Sequence, residues 1–105
     1  MKVSRGKIYE GERSLSGAVV TVNGARLDPR LDLHRFNRTG FDWTYVGPAP
    51  RQLALALLAD HLGDDQKALS LSECFMTEVV AHLDNAWRLT SDDIAASLAT
   101  IPAGT

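Results

Sequence analysis

Arginines and aromatic residues crowd positions 26–45 of this chain. Arg26, Arg30, Arg35 and Arg38, with His34 among them, lead to Trp43 and Tyr45. Guanidinium groups near flat rings suit two chemistries. They can hold phosphates while bases stack on the rings. They can also form the centre of a protein contact, where Trp, Tyr and Arg dominate the energetics. Asp28, Asp32 and Asp42 are interleaved in the same segment, and the pI of about 5.8 is low for a dedicated nucleic-acid binder. The plainest reading is a solvated edge. Among the functional readings, protein contact ranks above nucleic acid. Arg30, Arg35 and Arg38 are the expected contact residues, with Arg26 in support. Trp43 and Tyr45 are expected mainly in the core, with their edges reaching the surface.

The turn Gly47-Pro48-Ala49-Pro50, followed by Arg51, is a second candidate because it feeds the start of an apolar run. A phosphate cradle needs consecutive backbone N–H groups and glycines that let them converge. Two of these residues are prolines and have no N–H. Only Gly47, Ala49, Arg51 and Gln52 can donate, and no phosphate-binding glycine motif occurs in the chain. A strand running through a turn into a core helix is the better account.

Other reactive groups are dispersed. His34, His61 and His82 have no ligand partner at metal-binding spacing, and Cys74 is the one cysteine, so neither a metal nor a cofactor is expected. His61 and His82 fall near expected helix C-termini, where an imidazolium suits the dipole. Asp60, Asp64 and Asp65 are better explained by capping and solvation than by a metal cluster. Cys74 lies on an apolar helix stripe and reads as core. Ser14, Ser16, Ser70 and Ser72 lack a nucleophile-elbow context. No carboxylate pair stands out, so no catalytic residue is expected.

The elements that position these residues follow from local signals. "KIYEGE" reads as a short edge strand. Asn23-Gly24 between apolar runs predicts a hairpin with a type I′ turn. Val20 and Val22 then share one face, and Val19 and Thr21 the other. Asp28-Pro29 ends the second arm, and a short extended piece follows at Leu31, Leu33 and His34. Phe41, Trp43 and Tyr45 alternate as in a strand. A helix begins at Pro48 with Gly47 as N-cap. It is apolar all round from Leu53 to Ala59 and ends at Gly63. Asp64 or Asp65 caps a second helix reaching about Leu83. "WRLT" is a last strand. Thr90 or Ser91 caps a final helix, Asp92 to about Ala99, stopped by Pro102. Strands followed by helices predict an α+β domain, with a small antiparallel sheet of three or four strands and about three helices on one face.

At 105 residues the chain suits a single domain, strand-rich over 1–46 and helix-rich over 47–101, with a tail at 102–105. The start has no apolar signal-peptide core, no run is long enough to cross a bilayer, and a single cysteine fits a reducing, cytoplasmic setting. Charge is uneven. Residues 1–52 carry nine basic and five acidic side chains, whereas residues 53–105 carry two and eight. Such asymmetry marks either a charged partner or, more simply, two halves that attract each other.

The segment "TGFDWTYVGPAPRQLALALLADHLGDDQKAL" resembles a domain-of-unknown-function family of small bacterial and phage-borne proteins. The likeness extends upstream to "RGKIYEGE" and downstream through "EVVAHLDNAWRLTSDDI". The family's turn looks richer in glycine than Gly47-Pro48-Ala49-Pro50. No catalytic residue carries over, and the mobile-element setting implies an accessory role. The expectation is a small, non-catalytic interaction protein that binds a protein partner, in its sharpest version an anti-CRISPR-like inhibitor of a host defence complex. The alternative is a nucleic-acid-binding accessory protein using the basic edge 26–38. An exposed sheet edge also admits a homodimer.

Overall fold

A computed structural model describes residues 6–15 and 17–101. Ser16 and the expected stop at Pro102 lie outside the described residues, as does the tail 102–105. The strands are β1 (Ile8–Ser14), β2 (Gly17–Val22), β3 (Ala25–Arg26) and β4 (Ala86–Thr90). The helices are α1 (Pro48–Leu62), α2 (Asp65–Glu78) and α3 (Ser91–Thr100), and a short 3₁₀ turn, Val80–His82, follows α2. The four strands form one antiparallel sheet in the order β3-β2-β1-β4. This is the expected α+β architecture.

The expected hairpin is present. Asn23 and Gly24 take φ of 50° and 85°, as a type I′ turn requires. The Asn23 side chain also accepts from the Ile8 amide at 2.9 Å and so ties the turn to β1. β1 corrects the edge-strand expectation, because β2 and β4 pair on either side of it. Period-two alternation sorts the sheet's faces. Tyr9, Gly11, Val20 and Trp87 turn inward, while Glu10, Glu12 and Arg88 are exposed on the other face. Gly11 is required by packing. A Cβ there would lie 2.3–2.5 Å from the Trp87 ring.

α1 is the centre of the molecule. Leu53 through Leu58 are fully buried, and the helix is shielded on every side, as its all-round apolar sequence demands. Arg51 N–H donates to the Gly47 carbonyl at 3.0 Å, which fixes Gly47 as the N-cap. Gly63 closes the helix with φ 66°. The Asp64 carboxylate accepts from the Lys67 amide and starts α2. Thr90 and Asp93 form a reciprocal capping box that starts α3. α2 stops at Glu78, short of the expected Leu83. Beyond it, Thr44 bonds both the Val80 and the Leu83 carbonyls.

Two expected extended pieces are absent. Leu31, Leu33 and His34 lie in a turn, and residues 41–46 form no strand. Residues 27–47 instead form one long connection laid over the start of α1.

Candidate protein-contact surface

The connection is shaped by two side chains far apart in sequence. Gln52 is fully buried in the second turn of α1. Its Oε1 accepts from the amides of Phe36 (2.7 Å) and Asn37 (3.0 Å). Its Nε2 donates to the carbonyls of Pro29 (2.7 Å) and His34 (3.0 Å). Both lone pairs and both protons of the amide are thus used on the connection's backbone. Asn37 continues the order by donating to the Gly40 carbonyl at 2.6 Å.

Arg13 of β1 clamps the other end. Its guanidinium donates to Asp42 at 2.8 Å, to Asn85 at 2.7 Å, to the Trp43 carbonyl and to Thr44 Oγ1. It also lies 4.8 Å from the Trp43 ring centre. Burial works to raise the Asp42 pKa, but hydrogen bonds from Arg13, the Trp43 amide and Tyr45 outweigh it and hold the carboxyl below its ordinary value.

Thr44 is the pivot. Its φ is 84°, a region that β-branched residues rarely enter. Three hydrogen bonds hold it there. Its amide donates to the Val80 carbonyl at 3.1 Å, its hydroxyl donates to the Leu83 carbonyl at 2.7 Å, and its oxygen accepts from Arg13. The pivot breaks the alternation of the aromatic run. Trp43 is driven fully into the core, where it meets Trp87 edge-on at 5.7 Å. Thr44, Tyr45 and Val46 are then exposed in succession, with Tyr45 at 46% and Val46 at 60%. The Tyr45 ring rests on Gly47, where a Cβ would lie 3.0 Å from it. Burial and the Asp42 charge raise the Tyr45 phenol pKa.

Beside Val46, a shallow cleft of about 260 Å³ is lined by Phe36, Val46, Gly47, Pro48, Arg51 and Met76. That is smaller than the ~300–1,000 Å³ of typical small-molecule sites. Arg51 stacks over Phe36 at 4.2 Å, and its Nε donates to the Ser72 hydroxyl at 3.3 Å. The His34 ring meets Phe36 from the adjoining segment at 4.1 Å. The turn is not an anion nest. Gly47 is fully extended, two of the turn's residues are prolines with no N–H to donate, and Tyr45 covers the glycine.

The six expected contact residues separate into groups. Arg35 and Arg38 are exposed and have no carboxylate partner among the described residues. Arg26 is exposed on edge strand β3. Arg30 is engaged within the chain, pairing with Asp32 at 3.0 Å and Asp65 at 3.1 Å. These bonds raise its own pKa and lower that of Asp32. Tyr45 belongs to the exposed patch, which corrects the expectation that it lies mainly in the core: the Thr44 pivot turns it outward. Trp43 offers no contact surface, which corrects the expectation that its edge reaches the surface.

Residues beyond that set carry much of the geometry. Gln52 had one signal, a lone polar residue opening a Leu/Ala run; Arg13 and Thr44 had none. His61 corrects the dipole expectation. It is 2% exposed, its Nδ1 has no hydrogen-bond partner among the described residues, and burial lowers its pKa. A neutral imidazole does not serve the dipole. Asp60 accepts from Tyr9 at 2.7 Å and Lys7 at 3.0 Å, while burial first, then Asp60, raises the Tyr9 pKa. Cys74 is half-buried against the core. Among the described residues, no three His, Cys, Asp or Glu side chains gather as metal ligands, and no helix is long and apolar enough to cross a membrane.

Neither a curated protein nor a solved structure matches the chain. A family of unknown function, DUF6166, matches residues 9–100 and thus takes in the sheet, all three helices and the connection that carries Tyr45 and Val46; the chain belongs to this family.

Proposed function

We propose that this chain is a non-catalytic protein-binding module that docks its partner through Tyr45, Val46 and the cleft beside them. The observation that carries this reading is the Thr44 pivot. A β-branched residue is held at φ 84° by three hydrogen bonds, and the result is two apolar side chains presented to solvent. Backbone strain of this kind costs on the order of 1–3 kcal/mol and persists where the surroundings over-determine it. The surface is also preorganised, because Gln52 and Arg13 fix both ends of the connection. Preorganisation lowers the entropy lost on binding.

The sharper version is an accessory protein that occludes a host defence complex in the cytoplasm, as an anti-CRISPR protein does. It draws on the resemblance to mobile-element proteins and on the single cysteine. The surface chemistry supports protein binding in general. A nucleic-acid reading keeps Arg26, Arg35 and Arg38, which are exposed, but loses Arg30 to its two intramolecular partners.

A pull-down from native host lysate tests the proposal, comparing wild type with Val46→Asp, with and without nuclease. The expected result is a protein partner that survives nuclease and is lost with Val46→Asp. Val46 is exposed, so this variant is expected to keep its thermal melt. Equal recovery by both proteins, or no partner at all, overturns the proposal. Recovery abolished by nuclease moves the function to nucleic acid.

A further inference from the structure

We infer that the partner presents an acidic segment carrying one large apolar side chain, which enters the cleft at the start of α1 while the acids meet Arg35, Arg38 and Arg51. This rests on the protein-binding reading and names the chemistry of its partner. The cleft itself requires the apolar anchor. Its lining is Phe36, Val46, Pro48 and Met76, with the Gly47 backbone and one charged residue, Arg51. A volume of about 260 Å³ accepts a side chain rather than a whole ligand.

The acids follow from an imbalance of charge. Lys7, Arg13 and Arg30 each have a carboxylate within 3.1 Å. Arg35, Arg38 and Arg51 have none among the described residues. One of them is in the cleft lining, and the other two lie on the chain segment that supplies its Phe36 wall. Arg51 lines it, Arg35 adjoins Phe36 in its wall, and Arg38 follows two residues later on the segment held by Gln52. Over residues 34–51 the one carboxylate is Asp42, and Arg13 neutralises it. Arg51 is also held ready. Its guanidinium carbon lies 4.2 Å over the Phe36 ring, and Ser72 takes one of its five donors. A guanidinium held in this way is suited to a carboxylate, with little ordering left to do on binding. Charges placed around an apolar anchor also discriminate among partners and speed encounter.

Selection of a random displayed peptide library on the immobilised full chain tests this inference. The expected outcome is enrichment of peptides that place Asp or Glu around one Phe, Leu, Met or Trp. Their binding should weaken by about tenfold or more in Arg51→Glu. It should weaken severalfold in Arg38→Glu, an exposed position whose change leaves the fold intact. Absent enrichment, enriched peptides without acids, or equal binding by both variants overturns the inference. Salt-dependent self-association lost in Arg51→Glu also overturns it, because the occupant is then a second copy. Failure here is distinct from failure of the broader reading. If Val46→Asp abolishes partner capture while the selection shows no acidic preference, the docking surface stands and only the partner chemistry is wrong.

Discussion

Replacing Gln52 by Leu tests whether one buried amide organises the binding surface. Leu fills most of the same space but makes none of the four hydrogen bonds to Pro29, His34, Phe36 and Asn37. A buried neutral hydrogen bond contributes about 0.5–1.5 kcal/mol net, so four contribute roughly 2–6 kcal/mol. The higher values need the abandoned amides and carbonyls to stay buried. Here His34 and its neighbour Arg35 are already exposed, so the segment can swing toward water and recover part of the loss. The expected cost is therefore about 3 kcal/mol, in the lower half of that range. Urea unfolding followed by tryptophan fluorescence measures it, since Trp43 and Trp87 are both core residues. Amide exchange supplies the local readout. Phe36 and Asn37 should lose protection well before the amides of α1. Gln52→Glu should rescue only in part, because its carboxylate accepts from the two amides but faces the Pro29 and His34 carbonyls without a proton to give. A loss below about 1 kcal/mol, with Phe36 and Asn37 still protected, would refute the reasoning, since four satisfied bonds cannot vanish that cheaply.

Two further outcomes test the core. Gly11→Ala pushes a Cβ to within 2.3–2.5 Å of the Trp87 ring, so it should destabilise by about 1–3 kcal/mol, and a melting temperature equal to wild type would show that Trp87 moves freely. His61 should make stability depend on pH. Burial holds its folded pKa below the ordinary value near 6.5, so the unfolded chain binds the proton first as pH falls. The contribution is whole above about pH 6.5 and declines below it, by at most about 1.4 kcal/mol per pH unit, until the folded pKa is reached. His61→Leu should flatten that decline in urea midpoints taken at several pH values, and an unchanged slope would place the titration elsewhere.

What the sequence disclosed was whatever short-range chemistry decides. Asn23-Gly24 specifies its turn because positive φ at two adjacent residues is a local demand, met here at 50° and 85°. Pro48, Gly63, Asp64 and Thr90 mark helix ends because a cap bonds its own neighbours. The Trp43 region was misread for the opposite reason. Aromatics at every second position imitate a strand, but the conformation is set by Arg13, Val80 and Leu83, at separations of about thirty residues or more. Gln52 stood out only as a polar residue in an apolar helix. Its partners lie 15–23 residues upstream in a stretch with no regular structure, so no periodicity points to them. The contact surface was legible in composition, as arginines near aromatics, but not in membership.

The uneven charge of the two halves acquires a physical meaning once the pairs are placed. Lys7 with Asp60 and Arg30 with Asp65 join the basic half to the acidic one, so part of the asymmetry serves the fold, as attraction between neighbouring halves requires. Pairs that stay open to water, as Arg30 with Asp65 does, contribute only about 0–1 kcal/mol each, and the half-buried Lys7–Asp60 pair also bears the cost of desolvation, so the two do not account for the fold's stability. Their larger effect is to remove Arg30 from the surface field. The basic edge is thereby divided. Arg26 stays on the far hairpin strand, Arg30 is neutralised, Arg51 is left in the cleft lining, and Arg35 and Arg38 are left on the segment that supplies its Phe36 wall. Guanidinium groups without a carboxylate partner among the described residues thus occur on the segment and helix start that line the cleft, where Thr44 also presents apolar side chains to solvent, and it is this coincidence that singles out the start of α1.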